Sequence, residues 1–207
     1  MKRILSVMLV ITILCSCSSA AFAVKMPSSS RTETTMTTEE KAYLEEKLSE
    51  KTVFDWEESE KAIREADISG HFVTFDEISA KLWLPDFFED VLEEEDREQG
   101  YIGYFMTKEP ESNGDYGVVD VAYWDAGCSS AEEYKDALIG WGYDTAEITE
   151  VNGWEAVMYF AVEDGYDYLA LALATESGNI FEVSFHPISD EDYLAAAYLV
   201  LSSIQEE

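Results

Sequence analysis

Residues 169–174 alternate leucine with alanine and are apolar at every position. In an extended strand Leu169, Leu171 and Leu173 face one side and Ala170, Ala172 and Ala174 the other, so both sides need cover and the strand belongs in the middle of a sheet. Its neighbour, residues 180–185, has Phe181, Val183 and Phe185 on one face and Ile180, Glu182 and Ser184 on the other, the pattern of a strand with one buried face. Asn152-Gly153, Asp164-Gly165 and Ser177-Gly178-Asn179 punctuate this region as hairpin turns. After Pro187 a closing helix is predicted, with Ser189 as N-cap, acidic residues in its first turn, and Leu194, Ala197, Tyr198, Leu201 and Ile204 at helical spacing.

The N-terminus carries a different signal. Lys2 and Arg3 precede an apolar run over residues 4–14, too short to span a bilayer, and a small-residue stretch ends at Ala21-Phe22-Ala23. Residues 1–23 therefore read as a secretory signal. A lipoprotein signal ending before Cys17 is the competing route, with Cys17 lipidated. Export to a secreted or membrane-anchored extracellular location is expected, the membrane being reached only through such an anchor.

Loss of residues 1–23 leaves 11 basic against 44 acidic side chains, a net charge of −33. Nucleic acid is excluded as a direct partner by electrostatics. Cys128 is then the one thiol of the folded part, so no internal disulfide is expected. Residues 24–36 read as a flexible linker rich in Ser and Thr. Residues 37–68 read as a helical spacer in two pieces, the first opened by Thr37 and Glu40 and the second by Asp55 and Glu58.

The domain is expected over residues 71–207. A first hairpin ends at Pro85, and a helical segment follows with Phe87, Phe88, Val91 and Leu92 turned inward. A second hairpin turns at Asn113-Gly114. Next comes a helix capped by Ser130 and Glu133, with Tyr134, Ala137, Leu138 and Trp141 on one stripe and Gly140 and Gly142 at its end, and then a returning strand. The class is α+β, a mostly antiparallel sheet with helices packed on it and the C-terminal helix closing it.

The succession LWLP (82–85), GYIGYF (100–105), SAEEYKDAL (130–138), ITEVNGWEAVMYF (148–160) and the strand-to-helix phrase over 180–205 resembles exported domains of anaerobic Gram-positive, Clostridia-type bacteria. Those share the α+β fold of the PsbP-type photosystem extrinsic subunit and the Ran-binding Mog-type proteins. The resemblance covers roughly residues 72–205 and implies a fold, with no binding or catalytic residue attached.

Motifs of catalysis are few. A cysteine nucleophile would have to combine Cys128 with His71 or His186; no nucleophile elbow, zinc-protease helix, P-loop or dinucleotide turn is present. Calcium takes about six to eight oxygen ligands, and its candidate ligands are Glu109, Glu111 and Asp115 in one loop and Glu163, Asp164 and Asp167 at a turn. Neither loop has EF-hand spacing, and diffuse attraction of cations is the plainer expectation. The expected function is an exported, non-catalytic domain that binds a protein or glycan partner. The alternatives are a calcium-binding exported protein and a hydrolase of surface or dietary polymers, using a carboxylate pair that a chain with 44 acidic residues does not single out. Converging acidic groups in a cleft would point to the hydrolase, and an aromatic sheet face to the binder.

Overall fold

A computed structural model describes residues 53–111, 114–163, 166–188 and 190–207. The signal, Cys17, the linker, the first spacer helix, and Asn113, Asp164 and Ser189 lie outside the described residues. The chain runs β1 (Val53–Phe54), α1 (Trp56–Glu65), β2 (Gly70–Phe75), β3 (Ala80–Pro85), β4 (Phe88–Asp90), α2 (Glu94–Glu98), β5 (Tyr101–Thr107) and β6 (Val118–Asp125). It continues through α3 (Ala131–Trp141), β7 (Glu147–Val151), β8 (Trp154–Glu163), β9 (Tyr166–Ala174), β10 (Asn179–His186), α4 (Glu191–Ser202) and β11 (Gln205–Glu206). The protein is α+β. Eight strands form one sheet in the order β1-β7-β8-β9-β10-β6-β5-β4, and three form a second in the order β11-β3-β2. All pairings are antiparallel except β1 with β7.

Strand β9 sits near the centre of the large sheet, as its composition requires. Leu169, Leu171 and Leu173 enter a core on the first face with Phe181, Val183 and Phe185 of β10, Leu82 and Leu84 of β3, and Ala197, Val200, Leu201 and Ile204. Ala170 and Ala172 enter a second core on the opposite face with Tyr134 and Leu138 of α3. The small sheet and α4 thus cover one face, and α3 rests on β7, β8 and β9 of the other. Strand β10 departs from the expectation of a single buried face: Ile180 and Glu182 are buried as well, because side chains of α3 lie over them.

The caps follow simple chemistry. Ser130 Oγ accepts from Glu133 N at 3.2 Å, and Gly142, in the left-handed region at φ 97°, ends α3. In place of the expected Ser189, Asp190 caps α4: its carboxylate accepts from the amides of Asp192 and Tyr193, where it also complements the helix dipole.

Two further expectations are corrected. Phe88 lies in a short strand paired with β5, with no helix before Glu94: it faces Thr107 across the ladder, and its ring is buried in the first core. The segment Val53–Glu65, read as part of a spacer outside the domain, packs on it. Val53 and Phe54 pair with Glu150 and Val151, and Ala62 and Ile63 are buried against Trp83 of β3 and Leu199 of α4. Asn152 fastens this corner: its Nδ2 donates to the carbonyls of Ser202 and Ile204 at 2.8 and 2.7 Å, and its Oδ1 accepts from Trp56 N at 3.2 Å. Ile63→Ala is therefore expected to cost about 2–5 kcal/mol in urea unfolding. An unchanged midpoint would restore the spacer.

Candidate functional site

Beside α3, the second face of the sheet over β9, β10, β6 and β5 carries polar and aromatic side chains. Antiparallel register sets their places. Asp120 stands opposite Ser184 on β10 and opposite Tyr104 on β5, while Ala122 stands opposite Glu182 and Tyr101. Asp120 and Glu182 are consequently diagonal neighbours on one face, about 7–8 Å apart at the backbone.

Both tyrosines reach this face through one irregularity. Residues three apart on a regular strand point to opposite sides. Between Tyr101 and Gly103 the register shifts by a residue, so Ile102 and Gly103 together occupy the space opposite a single partner. Ile102 then packs on the first core, and Tyr101 and Tyr104 share the second face as a T-shaped pair with centroids 6.1 Å apart. Gly103 permits the bulge by absence of bulk, since a Cβ there would stand 2.8 Å from the Phe105 ring and 3.2 Å from Phe75 and Val121.

Two carboxylates lie beneath, each 6 % exposed. Asp120 Oδ2 is 3.2 Å from His186 Nε2 and accepts from Ser184 Oγ at 3.2 Å. Glu182 Oε2 accepts from Tyr134 Oη at 2.8 Å and from Tyr159 Oη. His186 is itself covered by the ring of Tyr168, 4.2 Å away between centroids. Burial pushes the Glu182 carboxyl above its usual range, the two tyrosine hydroxyls pull it back, and the negative charge of Asp120 adds to the rise. Burial, followed by Asp120, raises Tyr101 and Tyr104. Burial and the charge of Glu182 raise Tyr134 and Tyr159.

The other oxygens of the two carboxylates are placed differently. Among the described residues, Trp124 Nε1 is the one buried side-chain polar atom sealed from solvent without a partner. Asp120 Oδ1 and Glu182 Oε1 accept no hydrogen bond from those residues and are not sealed from solvent. Among the described residues the ion pairs of lysine and arginine lie elsewhere, at Lys61–Glu65, Arg64–Glu60 and Lys135–Glu147.

The residues singled out in the sequence scatter. Cys128 is buried in the second core, its thiol pushed up by burial and donating weakly to the Ala126 carbonyl. His71 is 3.2 Å from Asp86 at the start of β2. Neither histidine is hydrogen-bonded to the thiol. Of the calcium candidates, Glu109 is exposed, and Glu111 accepts at its carbonyl from Gly114 and donates its amide to the carbonyl of Asp115. The Glu111 carboxyl is raised by burial and by Asp190 and Asp192 at the start of α4. Asp167 is raised by burial, and its carbonyl accepts from Ile188 N. The side chains of Glu163 and Asp164 lie outside the described residues. No group of three or more His, Cys, Asp or Glu among the described residues is arranged to hold a metal ion. Asp120, Glu182, Tyr101 and Tyr104 carried no motif; the available signal was the acidic residue Glu182 inside an otherwise apolar alternation.

No family model matches the chain, and no curated protein matches it. Solved structures do. One is a protein of Bacteroides thetaiotaomicron VPI-5482, with TM-score 0.46 and 15 % identity over 67 % of this chain and 48 % of that one, so this chain spans about half its length. A second is cyanobacterial PsbP (CyanoP) of Synechocystis sp. PCC 6803, with TM-score 0.46 and 12 % identity over 68 % and 94 % of the two chains. A third is LpqN, involved in cell envelope biogenesis of Mycobacterium tuberculosis, with TM-score 0.42 and 13 % identity over 69 % and 93 %. No residue role is carried over from any of them.

The burial of Glu182 sets a pH dependence. An unfolded glutamate loses its proton near pH ~4.3, and the folded one holds it to higher pH. Between those values the folded state binds more protons, so this residue's contribution to stability falls as pH rises. Glu182→Gln is expected to remove that fall, its advantage over the wild type growing from pH 4 upward in urea titrations and then levelling. Parallel curves would show that the carboxyl ionises in the fold as it does in the unfolded chain.

Proposed function

We propose that the chain is an exported, non-catalytic binding domain that takes its ligand on the open part of the second sheet face. Support comes from the face itself. The rings of Tyr101, Tyr104 and Tyr168 line it, partly exposed, beside a polar row of Asp120, Ser184 and His186, and tyrosines combine a flat apolar body with a polar tip suited to recognition. The leader read over residues 1–23, with release by signal peptidase or an anchor at Cys17, supports export. No helix among the described residues is long and apolar enough to cross a membrane.

The hydrogen-bond directions favour binding over hydrolysis. Ser184 gives its proton to Asp120, and His186 faces the same carboxylate oxygen, so the serine lacks a base of its own. The competing hydrolase has an observation in its favour, a buried carboxyl raised by its surroundings beside a second carboxylate, Glu182 with Asp120. A general acid must offer its proton to the substrate; two tyrosine hydroxyls occupy one oxygen of Glu182, which leaves Oε1 alone to do so.

The two readings separate in one titration. Soluble cell-wall glycan fragments and dietary oligosaccharides are added to the ¹⁵N-labelled protein, and the ligand is recovered afterwards for mass analysis. Saturable shifts at Tyr101, Tyr104, Asp120, Ser184 and His186 with ligand recovered intact are expected. Shorter fragments would establish the hydrolase, and shifts confined to other surfaces would remove the binding face.

A further inference from the structure

The two buried carboxylates carry the ligand chemistry further, resting on the binding reading just given. Each spends one oxygen inside the protein. Asp120 Oδ2 meets Ser184 and His186, and Glu182 Oε2 takes both Tyr134 and Tyr159. The other oxygen of each has no hydrogen-bond partner among the described residues and is not sealed from solvent. A carboxylate oxygen is an acceptor only, and at these two positions a ligand's donors can take the place of solvent.

Charge narrows the choice of ligand. Asp120 acts through space on Glu182, and Asp96 of α2 joins Asp120 in acting on Tyr101 and Tyr104. Among the described residues none of the three pairs with a lysine or arginine, and His186 is the one basic side chain at the site. The wall of the site is the T-shaped Tyr101–Tyr104 pair, whose hydroxyls donate to no described residue. Tyrosine faces attract cations through their quadrupole, and an ammonium group brings three N–H donors and no acceptor.

We infer that this face holds a primary ammonium group of a small molecule, with Asp120 Oδ1 and Glu182 Oε1 accepting two of its donors and the Tyr101 and Tyr104 rings enclosing it. The third donor meets a tyrosine hydroxyl. Neutral polyols would satisfy the oxygens without balancing the charge, and a divalent metal would find two carboxylates where its preferred shell needs more oxygens. A quaternary ammonium would bring charge with no donor.

The test uses n-butylammonium as probe, with n-butanol and tetramethylammonium as controls, on the ¹⁵N-labelled full chain at matched ionic strength. Saturable shifts at Asp120, Glu182, Tyr101 and Tyr104 are expected for butylammonium, with at least tenfold weaker binding of either control. Asp120→Asn and Tyr104→Phe, each confirmed as folded by its spectrum, are expected to weaken butylammonium at least tenfold and at least twofold respectively. Tyr104→Phe keeps the ring and the fold, and so keeps the test open if Asp120→Asn does not fold. Equal, unsaturated shifts for both cations would reduce the effect to the overall charge and overturn the inference. Equal binding of butanol and butylammonium would do the same. If oligosaccharides shift the face while butylammonium leaves it unmoved, the binding reading stands and the ammonium ligand falls; if saturable butylammonium shifts map elsewhere, as at Glu111 and Asp190, both fall.

Discussion

A central strand that is apolar on both sides obliges the molecule to supply two covers, and the architecture follows from how unequally it does so. On the leucine side of β9 the cover is complete, built from α4 and the small sheet, which share one core with Phe181, Val183 and Phe185. On the alanine side α3 packs on β7, β8 and β9. Small side chains let that helix sit close, since buried alanines bring backbone and helix together with no room for water. The sheet nevertheless continues for three strands past β10, and this remainder is finished with tyrosines and a polar row.

Polar groups left on such a face need partners, because a buried charge without them is expensive. The protein meets this need unevenly as well. Hydroxyls from α3 and β8 converge on one oxygen of Glu182, and a serine and a histidine from β10 meet one oxygen of Asp120. The second oxygens are supplied by no described residue. Among the described acidic side chains Asp120, Glu182 and Asp190 are buried, and what distinguishes the first two is their place beside a tyrosine pair.

Much of the scaffold was legible in the sequence because it rests on local rules. Alternation placed β9 and β10, Gly142 and Ser130 bounded α3, and Asn152-Gly153 turned β7 into β8, with both residues at positive φ. The parts that escaped depend on partners far along the chain. A two-residue strand such as β1 has no periodicity to read, and it exists because Val151 and its neighbours offer an edge. Ile63 looks like a lone apolar residue on a charged helix until Trp83 and Leu199 are placed against it. Glu182 reads as a solvent-facing member of an amphipathic strand because nothing local announces that Tyr134, 48 residues earlier, will cover it. The bulge is hidden for the same reason. A one-residue slip between β5 and β6 moves Tyr101 to the other face, and strict alternation through residues 101–104 would have sent the two rings apart.

The site depends on that slip, since without it the aromatic wall and the carboxylates do not meet. Aromatic NOEs on the folded protein measure it directly. With the bulge, the Tyr101 ring shows cross-peaks to the Tyr104 ring and to the methyl of Ala122, its cross-strand partner on the second face. Cross-peaks from the Tyr101 ring to the methyls of Val119 and Val121, in the first core, would place the two tyrosines on opposite sides and contradict the site.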